Sequence, residues 1–195
     1  MRTTTRELLI QVSACLSLLC GVSEGEPVAG PFRVILDHVE RCPAELLDEP
    51  FSLTIKSMRD RRDLDMFHLT VNASWISNFT DDLIGQLRFS SWSARGGWKE
   101  NANVMNFKRL CTSLRTYVPQ LWNTIRQYTP QPDCPLSPGS LYIPTMVADF
   151  SVKQVPAYFY GKWRIDIRAL KPQSRRCIAC GRMFAATVPL TSGKG

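Results

Sequence analysis

The sequence predicts a mostly β protein: an antiparallel β-sandwich or β-cup with a helical insert covering one opening. Three observations carry that expectation. Several segments alternate apolar and polar residues with period 2, as strands do when one face is buried and the other wet. One segment between them switches to a period of three to four residues, the pattern of an amphipathic helix. The order is strands, a helical insert, then more strands, which is not the βαβ alternation of a doubly wound sheet.

The first residues are expected to stand outside this fold. Arg2 and Arg6 precede an apolar stretch, Leu8 to Leu19, and small residues near Ser23 and Gly25 offer a cleavage point. That is the layout of a secretory signal peptide over residues 1–25, with an apolar core too short for a comfortable membrane span. Residues 26–195 are then one domain, long enough to bury a sizeable core. No later segment is apolar enough to span a bilayer. The mature protein is expected to be secreted and extracellular.

Phe32 to Val39 reads as the first strand, with no parity to fix its buried face. In the second, Phe51, Leu53 and Ile55 alternate with Ser52, Thr54 and Lys56. The mixed charge run Arg59 to Asp63 reads as a solvated hairpin connection. Phe67, Leu69, Val71, Ala73 and Trp75 then alternate with His68, Thr70, Asn72 and Ser74, the cleanest strand of this half. Leu83, Leu87 and Phe89 share the parity of a fourth strand, and Arg95-Gly96-Gly97-Trp98 reads as a turn.

From Asn106 the period changes. Leu110, Leu114, Val118, Trp122 and Ile125 share one helical face, with Asn106 as the expected N-cap and Pro119 expected to kink or divide the helix. After the Thr129–Asp133 stop comes the stretch Cys134–Ala169. It ends in a strict alternation that puts Phe159, Gly161, Trp163, Ile165 and Ile167 on one face. The last apolar segment is Cys177 to Leu190.

The chemistry-bearing signals are sparse. Cys177-Ile178-Ala179-Cys180 is a CxxC, yet zinc would need two further soft ligands, and the two histidines, His38 and His68, have no metal-type spacing. No βαβ setting supports a redox site, and no nucleophile elbow, phosphate loop or His-Glu-x-x-His is present. No catalytic residue, metal or cofactor is expected. Once the signal is removed, Cys42, Cys111, Cys134, Cys177 and Cys180 remain. In an oxidising compartment one is left over, and one member of the CxxC is expected to close a bridge while the other stays free. Asn72-Ala73-Ser74 and Asn78-Phe79-Thr80 are glycosylation sequons.

The formal net charge of +7 survives cleavage, because the signal carries Arg2, Arg6, Glu7 and Glu24. A basic secreted protein is attracted to anionic membrane surfaces, acidic glycans or acidic partners, unless the charge serves solubility alone. Nucleic acid is not expected as a partner.

Several of these features together resemble a known family. Cys111 stands ahead of a helical segment. Cys134-Pro135-Leu136 leads through Gly139-Ser140-Leu141-Tyr142-Ile143-Pro144 into strand. Val155-Pro156 precedes Tyr160-Gly161-Lys162-Trp163-Arg164-Ile165, and a last strand runs around Cys177-Ile178 and Ala185-Ala186. This arrangement is similar to the ganglioside-activator-like, ML-type lipid-recognition proteins, and closer still to the insect secreted proteins of that superfamily, including the CheB chemosensory group. The resemblance is best from Cys111 to Ala186 and architectural from Phe32 to Trp98.

It implies a cup-shaped β-sandwich that reversibly binds a lipid, a fatty-acid derivative or a cuticular-hydrocarbon-like cue without catalysis, in a chemosensory setting. It also implies bridges Cys42–Cys177 and Cys111–Cys134, with Cys180 unpaired. The residues themselves agree with an apolar cup: Leu53, Ile55, Leu69, Val71, Leu87, Phe89, Phe159, Trp163 and Ile165 are the candidate lining, the competing reading being a dry core. An alternative from another class is a secreted module that binds a membrane receptor or channel with no ligand of its own. The basic surface and the aromatics Trp92 and Trp98 support it.

Overall fold

Two antiparallel sheets of unequal width face one another, and the inequality shapes the molecule. The computed structural model describes residues 28–63, 66–131, 133–149 and 155–190; the expected signal peptide lies outside the described residues. In chain order the strands are β1 (Ala29–Gly30), β2 (Phe32–Arg41), β3 (Phe51–Arg59), β4 (Met66–Trp75), β5 (Ile84–Ser93), β6 (Gly97–Phe107), β7 (Gly139–Asp149), β8 (Tyr158–Phe159), β9 (Gly161–Leu170) and β10 (Cys177–Pro189). Two helices, α1 (Leu110–Tyr117) and α2 (Pro119–Tyr128), lie between β6 and β7. The large sheet has the order β2-β10-β9-β5-β6, the small one β3-β4-β7, and β1 pairs only with β8.

The period-2 segments fold as expected because each has a face to bury. In β3 and β4 the aligned rows Leu53–Ala73, Ile55–Val71 and Ser57–Leu69 point inward, and β7 extends them with Leu141, Ile143 and Met146. Phe67, Leu69, Val71, Leu141 and Ile143 pack with Leu36 of β2 into the main core, against which Val39, Leu53, Ile55 and Met183 also rest. Burying one such side chain contributes roughly 1.5–3 kcal/mol. Strands β2 and β10 are therefore where the two sheets close on each other. The charge run behaves as a hairpin connection: Asp60 accepts hydrogen bonds from the backbone N–H groups of Arg62 and Asp63 and lies 3.0 Å from His68 Nε2.

Pro119 divides the helical insert in two, standing as the first residue of α2, where its missing N–H costs nothing. The start of the insert differs from expectation. Asn106 lies in β6, and the residue preceding α1 is Arg109, in a left-handed conformation with φ 61° and no capping hydrogen bond from its own side chain. The capping group comes from the distant loop before β5. Asp81 accepts hydrogen bonds from the Thr112 N–H and Thr112 Oγ1, both at 2.8 Å. The Thr112 backbone bond, foremost, holds the Asp81 carboxyl below its usual range. A tertiary carboxylate does here what a local Asn was expected to do.

Three other expectations are corrected. Strand β6 was not foreseen beyond its turn, because most of its residues are exposed and no clean alternation marks it. The alternation Phe159–Ile167 is not one strand: β9 begins at Gly161, with φ 146°, and Phe159 belongs to β8, where it is 61% exposed. The third concerns the cysteines. The bridges are Cys42–Cys180 and Cys111–Cys134, and Cys177 is a buried free thiol. Register explains the change. Arg41 of β2 lies opposite Gly181 of β10, so the next residue, Cys42, falls beside Cys180, whose carbonyl accepts the Cys42 N–H at 3.3 Å. Cys177 lies beyond an irregularity in the β9–β10 ladder. There its N–H donates to Asp48 Oδ2 at 2.5 Å and its Sγ lies 3.3 Å from the Ala179 carbonyl oxygen.

Candidate functional site

Five strands cannot be covered by three. At the usual strand spacing the large sheet is roughly 19 Å across and the small one roughly 10 Å. The small sheet covers β2 and β10 and leaves the inner face of the far strands without a facing sheet. Two registered rows cross that face. One runs Gly181–Ile167–Leu87–Met105 and the other Met183–Ile165–Phe89–Asn103, in the strand order β10, β9, β5, β6. Their orientation is fixed at Gly181, where an added Cβ would come within 3.0 Å of Leu53 Cδ2 on β3. The rows therefore point toward the small sheet at one end and past its edge at the other.

The exposures follow that geometry. Ile167 and Met105 face inward by register yet are 47% and 43% exposed, and Leu87, Phe89 and Ile165 are half-buried. Apolar side chains grouped on one face and open to solvent make this face a candidate interaction surface.

Both ends of this crevice are closed. At one end Trp163 is buried, donates its indole N–H to Thr187 Oγ1 at 2.9 Å, and packs 5.2 Å from the Tyr158 ring. Burial of Tyr158 pushes its phenol up from its ordinary value of 10.0. Tyr158 also packs 5.6 Å from Phe32, so the short β1–β8 ribbon seals this end. At the other end Gly85, beside Ala169 and Phe107, lets Leu110 of α1 approach: an added Cβ there would meet Leu110 Cδ1 at 3.1 Å. Leu110, Leu83, Ala169, Ile178 and Ala179 form a packed plug. The Cys111–Cys134 bridge and Trp122 anchor the helices over that plug.

The two rows hold no titratable side chain. The nearest polar groups are Asn103, at the β6 end of its row, and Lys99, opposite Ser91 on the next inward row. The surface supplies contact area and has no group placed for proton transfer or nucleophilic attack. Among the described residues no group of three His, Cys, Asp or Glu is placed to hold a metal ion, and no described helix is long and apolar enough to cross a membrane.

The candidate lining thus divides into three. Leu87, Phe89, Ile165 and Trp163 lie on the crevice side of the large sheet. Leu69 and Val71 are buried in the main core between the sheets, and Leu53 and Ile55 pack against it. Phe159 sits at the exposed rim of the β1–β8 ribbon and is removed from the wall. Sequence reasoning missed Met105, whose strand carries no clean alternation. The parity of β9 already placed Ile167 with Ile165 on the candidate wall strand, although the lining residues named stopped at Ile165. The sequons are accessible: Asn72 lies on the outer face of β4 between Thr54 and Tyr142, and Asn78 is exposed in the following loop.

A separate cleft of about 390 Å³ opens beside the start of β7, walled by Pro130, Leu136, Pro138 and Trp75. Its aromatic N–H is already taken, by the Ser137 carbonyl at 2.9 Å.

No known family model matches the chain, and no curated protein matches it. Among solved structures it is similar to chicken MD-1 complexed with lipid IVa, with TM-score 0.41 and 12% identity over 82% of this chain and 99% of that one. It is also similar to a Niemann-Pick type C2 protein from Japanese carpenter ant, with TM-score 0.33 and 15% identity over 78% of this chain and all (100%) of that one.

Proposed function

We propose that this chain is a secreted, non-enzymatic carrier of a hydrophobic ligand, of the ML-type lipid-recognition class and within it akin to the insect CheB chemosensory proteins. The observation that carries the proposal is the exposure of Ile167 and Met105 on the inward face of the large sheet. An acyl or hydrocarbon chain laid along Ile165, Ile167, Leu87, Phe89 and Met105 would remove their apolar area from water, worth about 25 cal/mol per Å². Lys99 and Asn103 at the β6 lip suit a polar end that stays near solvent. The two bridges support an oxidising compartment, and the exposure of Asn72 and Asn78 supports glycan attachment there. Delivery of the cue to a membrane receptor or channel is the role we infer for such a carrier.

Native mass spectrometry of protein secreted from insect cells, with organic extraction of whatever it carries, tests the reading. We expect a bound lipid or hydrocarbon that a fluorescent fatty-acid analogue displaces. Ile167→Glu should weaken that analogue at least tenfold while leaving the thermal melt near wild type, because the side chain is already half in water. A protein with no extractable ligand and no affinity for the analogue would sink the proposal.

A further inference from the structure

The outer face of the large sheet carries a second feature, independent of the crevice. Because β9 alternates strictly, its outward residues are Lys162, Arg164, Asp166 and Arg168, a basic ladder broken by one acid. Arg88 of β5 and Arg182 of β10 stand on either side of Asp166 in the same registered row. Arg182 takes both Asp166 oxygens, at 2.7 and 2.9 Å, and Arg164 pairs with Glu100. Among the described residues Arg88, Arg168 and Lys162 have no carboxylate partner; Arg168 reaches only the neutral Gln86, at 3.3 Å.

The Nε atoms of Arg88, Arg164 and Arg168 are buried with no hydrogen-bond partner among the described residues. Arg88, Arg164 and Arg182 line a shallow cleft of about 320 Å³, whose wall also holds the carboxylates of Glu45, Glu100 and Asp166. Beyond Arg164 the face turns aromatic: its guanidinium lies 5.3 Å from the Trp98 ring, which packs against Trp92 and Phe184.

We propose that this face binds an acidic polysaccharide, with sulfate or carboxylate groups meeting Arg88 of β5 and Arg168 of β9 and a sugar ring resting on the Trp92–Trp98 edge. Guanidinium forks match planar or tetrahedral oxyanions. The edge-to-face pair Trp92–Trp98, with Trp92 exposed, supplies a surface for pyranose C–H groups. A linear polymer suits the site better than a bilayer. Arg88, Arg164 and Arg168 are half-buried, whereas a membrane surface is met by cations that project into water.

The test uses the full mature chain and a heparin-derived hexasaccharide, followed by calorimetry at several salt concentrations. Binding that weakens steeply with salt is expected, with Arg88→Gln and Arg168→Gln each lowering affinity roughly tenfold and Trp98→Ala lowering it further. Crevice binding of the fatty-acid analogue should be unchanged in the two glutamine variants, which separates this site from the carrier function and reports that the variants fold. The inference is overturned if the hexasaccharide does not bind or if a neutral hexasaccharide binds equally. It is also overturned if the glutamine variants bind as wild type, or if vesicles of anionic phospholipid are bound in place of the saccharide.

Discussion

Glu49, in the loop before β3, accepts hydrogen bonds from Ser77 and from Lys171, so one carboxylate ties three segments distant in sequence. The Lys171 bond, foremost, and then Ser77 hold it below its ordinary value of 4.5. A carboxyl depressed by folding stabilises fully above its ordinary value, and that contribution is lost as pH falls through the lowered one. Because Lys171 is partly exposed, the pair is worth about 1 kcal/mol, not more. Glu49→Gln is therefore expected to lower the melting temperature by roughly 3 °C at pH 7 and to match wild type as the pH drops well below 4.5. Thermal melts of the two proteins across that range check it. At this scale the sequence was least informative. Glu49 sits among ordinary loop residues, and Asp81 stands beside Asp82 with no local partner until the fold brings Thr112 to it. Nothing local announces a partner that arrives from elsewhere in the chain.

At the scale of elements, period was legible and register was not. The alternations of β3, β4 and β9 and the helical face from Leu110 to Ile125 follow from burial on one side, so the residues encode them directly. Strand β6 lacks the pattern because it is an edge strand, most of whose side chains meet water. The cysteine pairing turned on register. Cys177 and Cys180 flank an irregular start to β10, and only the alignment of β10 on β2 decides which of them meets Cys42. A non-reducing peptide map should recover Cys42 joined to Cys180 and Cys111 to Cys134, with a Cys177 thiol that alkylates only after unfolding. Recovery of a Cys42–Cys177 peptide would contradict the register. The Cys42–Cys180 bridge closes a loop of 138 residues and the other a loop of 23. In the chain-entropy model their removal costs about 5 and about 3 kcal/mol. Serine at Cys42 and Cys180 together should thus cost more in urea unfolding than serine at Cys111 and Cys134, and Cys177→Ser should cost least.

The whole molecule is governed by the mismatch between a sheet of five strands and a sheet of three. That mismatch leaves an apolar surface that neither the closed core nor the helical hairpin covers. The fold class was legible from the strand–helix–strand order. Part of the candidate wall was legible too, since β9 and β5 announced Ile165, Trp163, Leu87 and Phe89. What the sequence could not convey was which inward faces would meet another sheet. Leu69 and Val71 carry the same pattern as Ile165, yet they lie under Leu36 and Ile143 while Ile165 lies beside an opening.

That distinction is the central claim, and intermolecular nuclear Overhauser effects test it most directly. With methyl-labelled protein and a carbon-13-labelled fatty acid, cross-peaks are predicted from the ligand chain to the methyls of Ile165, Ile167, Leu87 and Met105. None is predicted to Leu69 or Val71. Cross-peaks confined to the cleft beside Trp75, or none to Ile167 and Met105 in a saturated complex, would contradict the account.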